Sequence, residues 1–206
     1  MENNNQAVEI EIVEQVGEDT NDSLIGNAEI DIIDGLAGKD YLFGDVGDDW
    51  LFGSAGNDTV EGGAGIDIIA GGNGKDRLIG SEFKGNYADY PELQDDPFAF
   101  ADEPVSDVIE TDFYFGGAGA DTFVMGDYFN AHYRGDSLAV VYDFNETQND
   151  RLEVFGEIED YSLGAGDLTE DGIDDLVLEY QGDAIALLIN PTGTVAPADL
   201  IFAQEV

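Results

Sequence analysis

Seven aspartates stand nine residues apart without a break: Asp22, Asp31, Asp40, Asp49, Asp58, Asp67 and Asp76. A carboxylate is a hard anionic oxygen donor, and a strict period sets one at the same point of every structural unit. Five residues before each stands a glycine: Gly17, Gly26, Gly35, Gly44, Gly53, Gly62 and Gly71. A second glycine precedes the last five aspartates by two, as Gly38, Gly47, Gly56, Gly65 and Gly74. The first two units carry Thr20 and Glu29 there. Glycine reaches positive-φ backbone that side chains disfavour, so each unit can turn tightly and present carbonyl oxygens beside its carboxylate. Stacked turns bring the aspartates into columns, which repel unless cations lie between them. Ligation by oxygen alone selects a hard cation, calcium before magnesium.

The element that positions these oxygens follows from a third kept position. Two residues after each aspartate comes an aliphatic: Leu24, Ile33, Leu42, Leu51, Val60, Ile69 and Leu78. On a very short strand one inward residue per unit builds a thin core. A single unit cannot bury that residue, whereas stacked units can.

The pattern G-G-x-G-x-D-x-U-x resembles the RTX, or haemolysin-type, calcium-binding repeat. Gly62-Gly63-Ala64-Gly65-Ile66-Asp67-Ile68-Ile69-Ala70 and Gly71-Gly72-Asn73-Gly74-Lys75-Asp76-Arg77-Leu78-Ile79 match it in full. The resemblance implies an all-β fold, a right-handed parallel β-roll with two nonapeptides per coil and a C-terminal β capping segment. It also implies several calcium ions, each held between one turn and the turn after next. In such rolls the earlier turn gives the carbonyls of its second and fourth residues and its aspartate; the later turn gives those of its first and third residues and its aspartate. Carried over, one site is Leu36, Gly38 and Asp40 with Gly53, Ala55 and Asp58. A second is Asp45, Gly47 and Asp49 with Gly62, Ala64 and Asp67, and a third is Ser54, Gly56 and Asp58 with Gly71, Asn73 and Asp76. The units at 17 and 26, lacking the second glycine, read as caps.

Composition narrows the partners. The chain has 206 residues, with 47 acids against 6 bases and a net charge of −41. Such a surface excludes nucleic acid, whose phosphates need a basic face. Hydrophobic residues at 43% argue against wholesale disorder. Without cysteine there is neither a disulfide nor a thiolate metal site. No run of about 18 apolar residues is present, so membrane insertion is not expected. The amino terminus lacks the basic and apolar regions of a secretory leader. That fits a cytosolic protein, and it fits RTX proteins, which leave through type I export machinery on an uncleaved C-terminal signal. The resemblance therefore implies a secreted, extracellular protein.

Along the chain, Val8, Ile10 and Ile12 alternate with acids, which predicts a capping strand within 1–16, ahead of the roll over 17–79. Residues 80–106 carry Pro91, Pro97 and Pro104, many acids and five aromatics, including Phe98 and Phe100, in no nonapeptide register. The complete repeat Gly116-Gly117-Ala118-Gly119-Ala120-Asp121-Thr122-Phe123-Val124 follows. We therefore expect 80–106 to loop out and the roll to resume over 107–124. That sets Gly72, Gly74 and Asp76 opposite Gly116, Ala118 and Asp121 as a further site, and Gly63, Gly65 and Asp67 opposite Asp107, Ile109 and Asp112 as a weaker one. Outward positions Ile32, Trp50, Phe52, Ile68 and Ala70 form one apolar face, expected to be covered by Phe98 and Phe100, the C-terminal segment or a protein or surface partner.

Residues 125–206 read as a C-terminal β cap ending in the export signal. Strands are expected at Leu138–Tyr142, Leu152–Phe155, Leu176–Tyr180 and Ile185–Ile189, the last two joined by a hairpin at Gln181-Gly182-Asp183. Asp143 and Asp150 are candidates for another ion, and Ala198–Phe202 is similar to type I export tails. Asp167, Thr169, Asp171 and Asp175, with Gly172 between, have the alternation of a calcium loop. An acidic turn before a strand is the equal alternative. The one histidine, His132, is read as a surface residue, since no H-E-x-x-H accompanies it. With no nucleophile elbow, zinc helix or separate catalytic domain, the chain does not read as an enzyme. The alternatives to a calcium-folded secreted roll are a surface-adhesion or matrix module and, less favoured, an accessory module of a secreted enzyme.

Overall fold

One apolar residue per nonapeptide decides the architecture. In the computed structural model, which describes residues 12–81, 111–126, 133, 137–193, 195 and 199–202, Ile33, Leu42, Leu51, Val60, Ile69 and Leu78 are all fully buried. They point inward from two facing sheets, alternate units contributing to opposite sheets.

The first sheet holds β1 (Ile12–Val16), β3 (Ile30–Asp34), β4 (Ala37–Gly38), β6 (Trp50–Gly56), β8 (Ile68–Gly74), β10 (Thr111–Gly119), β12 (Leu138–Val141), β14 (Tyr161–Gly166), β15 (Asp175–Tyr180) and β16 (Asp183–Leu188). The second holds β2 (Ser23–Asn27), β5 (Tyr41–Val46), β7 (Thr59–Ala64), β9 (Arg77–Ser81), β11 (Thr122–Val124), β13 (Arg151–Val154) and β17 (Leu200–Phe202). Pairing through the repeat is parallel at an offset of two units, as in Trp50 with Ile68 and Leu42 with Val60. The molecule is an all-β parallel roll with two nonapeptides per coil. Two lines of turns follow from that winding. The first edge carries the turns that begin at Gly17, Gly35, Gly53, Gly71 and Gly116, and the second those at Gly26, Gly44 and Gly62, with Gly80 in the matching place at the end of β9.

Across the interruption Ile68 pairs with Phe113, an offset of 45 residues in place of 18. The ladder thus absorbs 27 extra residues on the second edge without losing register, because β10 needs only its own backbone and an inward residue to join β8. Tyr114 and Phe123 take the inward places of Ile69 and Leu78, and both are fully buried.

The winding does not stop at Val124, where the nonapeptide pattern ends. β12 pairs parallel with β10, β13 with β11, β16 with β12 and β17 with β13. Apolar strands carry these later coils while their turns lose the Gly/Asp signature, so what sequence reads as a separate cap is in large part more roll. Among the described strands only the β14–β15 and β15–β16 pairings are antiparallel, with Gln181 and Gly182 at positive φ in the hairpin turn. A bidentate Arg77–Glu153 pair, one arm at 2.9 Å, ties the last uninterrupted unit to β13 across β11.

On the outer face of the first sheet, Ile32, Trp50, Ile68 and Phe113 stand in one register column, with Phe52, Ala70 and Phe115 in the next but one. Trp50 is 49% exposed, and Phe115 stacks on Tyr142 with centroids 4.9 Å apart. Val8, Ile10, Phe98, Phe100, Asp107, Ile109, His132 and Ala198 lie outside the described residues, as do nearly all of 80–106. No helix among the described residues is long and apolar enough to cross a membrane.

Candidate metal centres between stacked turns

Each repeat aspartate is held first by backbone. The Asp40 N–H donates to Asp58 Oδ1 at 2.9 Å and the Asp58 N–H to Asp76 Oδ1 at 2.9 Å; on the other edge Asp49 donates to Asp67 at 2.9 Å. The ladder crosses the interruption through Asp67 to Asp112, 2.9 Å, and Asp76 to Asp121, 3.0 Å. Both columns expected from the spacing therefore form, each carboxylate hung on the coil before it.

The second oxygen is the unusual one. Oδ2 of Asp40, Asp49, Asp58, Asp67, Asp76 and Asp121 is buried with no hydrogen-bond partner. A buried carboxylate oxygen left unpaired is among the more costly arrangements available to a protein. Burial, with neighbouring carboxylates, lifts Asp49, Asp58, Asp67, Asp76 and Asp121 in the metal-free chain. Asp67 is pushed up to about 8 by its burial and by Asp112, Asp49 to about 7 by burial and by Asp31, Asp121 to about 7 and Asp76 to about 6. The remedy for such oxygens, four in one column and two in the other, is positive charge.

Backbone conformation explains why the oxygens are orphaned. In the first two units the N–H of the second residue serves its own aspartate: Glu18 donates to Asp22 Oδ2 at 2.7 Å and Asn27 to Asp31 Oδ2 at 2.8 Å. From the third unit on, that second residue has positive φ: Leu36 at 68°, Asp45 at 81°, Ser54 at 71°, then Gly63, Gly72 and Gly117. The carboxylates of all six units leave Oδ2 without a partner. Holding Leu36, Asp45 and Ser54 in the left-handed region costs about 1–3 kcal/mol each, and strain of this kind collects at binding sites.

The surroundings suit a hard cation. A Cβ added to Gly35 would meet Asp40 Oδ2 at 2.6 Å and the Gly53 carbonyl at 3.1 Å; one added to Gly53 would meet Asp58 Oδ2 and the Gly71 carbonyl, both at 2.8 Å. At Gly44 the neighbours are Asp49 Oδ2 and the Gly62 carbonyl, both at 2.4 Å. Oδ2 of each aspartate thus faces the coil that follows. Oδ1 faces the coil before: a Cβ on Gly56 would meet the Gly38 carbonyl at 1.5 Å and Asp58 Oδ1 at 3.1 Å. Carbonyls of Gly47, Gly56 and Gly74 likewise abut Gly65, Gly74 and Gly119. Each slot is lined by oxygens of two turns and stays open because its glycines lack Cβ. Of the expected donors, the Leu36 carbonyl also accepts the Ala55 N–H at 2.9 Å, which leaves one lone pair. The strand ladder sets Ala55, Asn73 and Ala118 in one register column, and Ala64 faces Val46 across its own pair of strands from the third position of the Gly62 unit. Among the described residues no three carboxylate, histidine or thiol side chains converge, so these slots depend on two carboxylates each with backbone carbonyls.

Two other expected sites are built differently. Asp167 accepts the N–H groups of Asp171 and Gly172, both at 3.0 Å, and Asp171 accepts from Ile173 and from the Asn190 amide. Asp175 is fully buried and takes N–H groups from Leu168, Thr169 and Asn190. Burial works to raise Asp175, but these donors outweigh it and hold the group below the usual carboxylate range. The hydrogen bonds of the loop with Asp167, Thr169, Asp171 and Asp175 favour the acidic turn of the two readings, since each of its three aspartates accepts backbone N–H groups. Asp143 and Asp150 are likewise satisfied, by the Gly116 and Gly117 N–H groups and by those of Asp121 and Asn145.

Sequence reading missed an order along each edge. The fifth residues, taken in chain order, form no array, but along the first edge they alternate Asn21, Lys39, Asn57, Lys75. Each asparagine side chain accepts the N–H of the lysine one coil on, at 2.8 Å, and Asp48 does the same for Ile66 at 2.9 Å. A 36-residue period would have revealed it. The tyrosines at the end of the second edge were also missed.

Comparison with known proteins follows the same residues. A family profile, the RTX calcium-binding nonapeptide repeat (four copies), matches residues 16–51, 52–83 and 110–124. No match is found among curated proteins. Among solved structures, the chain is similar to the solution structure of the AlgE6R3 subunit from the Azotobacter vinelandii mannuronan C5-epimerase. The identity is 20% and the TM-score 0.31, over 90% of this chain and 80% of that one. The chain carries RTX calcium-binding nonapeptide repeats, and they span the turns whose aspartates form the two columns.

Proposed function

We propose that calcium bound between the stacked turns drives this chain to fold outside the cell, after export by a type I system. The observation that carries the reading is the set of six buried, unpaired Oδ2 atoms. Each marks one slot, four along the first edge (Asp40, Asp58, Asp76, Asp121) and two along the second (Asp49, Asp67). The residues that would hold the ions are Leu36, Gly38, Asp40, Gly53, Ala55 and Asp58; Ser54, Gly56, Gly71, Asn73 and Asp76; Gly72, Gly74, Gly116, Ala118 and Asp121; Asp121 with Asp150 at the end of the first edge; and, on the second edge, Asp45, Gly47, Asp49, Gly62, Ala64 and Asp67, then Gly63, Gly65 and Asp112. When bound, calcium supplies the positive charge that the columns lack. The chain does the rest: its glycines keep the slots open, its strained second residues turn their N–H groups away, and its carboxylates supply the negative charge.

The mechanism is linkage. Ligands assembled from two coils exist only in the folded roll, so binding free energy becomes folding free energy. Extracellular calcium modules have affinities of roughly 10⁻⁴ to 10⁻³ M, which leaves such a chain unfolded in a cytosol and folded outside. The test is a calcium titration from excess chelator followed by circular dichroism. The reading expects strand signal to grow with calcium, and a chain already fully folded in chelator overturns it. The role is that of a binding module rather than a catalyst. A second reading, attachment to a surface or partner, draws on the half-exposed Trp50 and the stacked Phe115 and Tyr142 on one outer face. Trp50 emission that stays that of a water-exposed indole with every candidate partner removes it.

A further inference from the structure

The second edge ends in a different chemistry from the first. Tyr114, inward on β10 in register with Ile69, is fully buried, and so is Tyr133. The Tyr133 hydroxyl donates to Asp112 Oδ2 at 2.5 Å, which leaves the Tyr114 hydroxyl to donate to Tyr133 at 2.7 Å. Asp112 Oδ1 takes the Asp67 N–H. Both oxygens of this buried carboxylate are therefore satisfied by protein donors, unlike those of the six slots. The place they occupy is the next slot. At Gly44 an added Cβ would meet its aspartate and the carbonyl of the following turn; at Gly80 it would meet the Tyr133 hydroxyl at 2.0 Å, Asp112 Oδ2 at 2.3 Å and the Tyr114 hydroxyl at 2.4 Å. One coil further on, the position in register with Asp112 is Ala139, so no second carboxylate is available.

We infer that the second column of ions is closed at Asp112 by this pair of tyrosine hydroxyls, which fill the slot beyond it in place of a cation. Calcium is held on the Asp67 side of Asp112 and not on the Tyr133 side, and the coils that follow are locked to the roll by a contact that needs no metal. The inference rests on the calcium reading of the other slots.

The test is a crystal structure of the full chain with calcium replaced by terbium, located by anomalous scattering. Density beside the unpaired Oδ2 atoms and none between Tyr133 and Asp112 is the expected result. Terbium on Asp112 Oδ2 with the hydroxyls displaced overturns this inference alone. Terbium at no slot overturns the calcium reading and this inference with it. Tyr133→Phe, which removes only the hydroxyl, gives an independent check in saturating calcium. A hydrogen bond to a buried carboxylate predicts a fall in Tm of about 3 to 12 °C for a chain of this size. An unchanged Tm overturns the inference.

Discussion

Replacing Asp58 with Asn separates ion binding from the hydrogen bonding of the same side chain. Asp58 belongs to two slots: Oδ1 lies beside the Gly38 carbonyl and accepts the Asp40 N–H, whereas Oδ2 lies unpaired beside the Gly71 carbonyl. An asparagine oxygen keeps the first role. Its amide puts a donor where Oδ2 was, opposite a carbonyl, which ruins that slot for a cation and supplies a hydrogen bond in its absence. The effect should therefore change sign with calcium. At about 10 mM calcium and an affinity of about 10⁻⁴ to 10⁻³ M, one ion contributes about 1.4 to 2.7 kcal/mol. With the neighbouring slot weakened as well, the loss comes to about 2–4 kcal/mol, or a Tm lower by about 4 to 16 °C. In chelator, removing an unsatisfied buried oxygen returns about 1–3 kcal/mol. Thermal melts in calcium and the strand signal by circular dichroism in chelator, with calcium counted by native mass spectrometry, give the answer. One ion fewer, a lower Tm in calcium and a larger strand signal in chelator are expected. Equal losses in both conditions, or an unchanged count, refute the assignment of Oδ2 to a slot.

Three further outcomes follow from the same geometry. In chelator, Asp49, Asp67, Asp76 and Asp121 have folded-state values of about 6 to 8 against an ordinary 3.8, so the stability they confer is full below about pH 4 and lost as pH rises through about 6 to 8. The metal-free strand signal should thus grow on acidification from pH 8 to 5 while the calcium midpoint rises, because protons and calcium compete; a metal-free signal that falls contradicts this. Gly74→Ala sets a Cβ 1.4 Å from the Gly56 carbonyl at φ 145° and should cost more than about 3 kcal/mol by chemical denaturation, whereas Gly164→Ala, with nothing within 4 Å, should stay within about 1 kcal/mol of the parent. Asp175→Asn, which weakens a carboxylate held by three N–H donors, should destabilise by about 1.5–3 kcal/mol and leave the calcium count unchanged; a lost ion would restore the loop as a metal site.

Period made the central part of the molecule legible. A nine-residue spacing fixes which backbone turns and which side chain points inward, so Leu42 or Ile69 could be placed in the core and Asp40 in a column before any coordinates. Two things stayed hidden because their partners lie a whole coil away. Asn57 reaches Lys75 and Asp48 reaches Ile66 at a distance of 18 residues, so reading neighbours in chain order scrambles the two edges. The winding after Val124 runs on register with β10 and β11 rather than on a turn signature, and no local motif announces that. Most consequential, Leu36, Asp45 and Ser54 share nothing as side chains, yet all adopt the positive φ that comes with an orphaned Oδ2.

That last feature explains why the repeat degenerates at its ends rather than stopping abruptly. A row of carboxylates with cations between them has two terminal members that see an ion on one side only. Left unpaired on the open side, such a carboxylate bears the full cost of its burial. The chain meets this with neutral donors at every terminus. At the amino end the N–H groups of Glu18 and Asn27 satisfy the Oδ2 atoms of Asp22 and Asp31 that face the next coil, in the two units that have Thr20 and Glu29 in place of glycine. The rows therefore begin at Asp40 and Asp49, whose Oδ1 atoms accept the Asp22 and Asp31 N–H groups. Asp150 takes the Asn145 N–H on the first edge, and Asp112 the Tyr133 hydroxyl on the second. Loss of the glycine pattern is therefore part of the design of a finite column: where the second residue returns to ordinary backbone, or a hydroxyl arrives from a later coil, hydrogen-bond donors replace the ion and the series of slots ends.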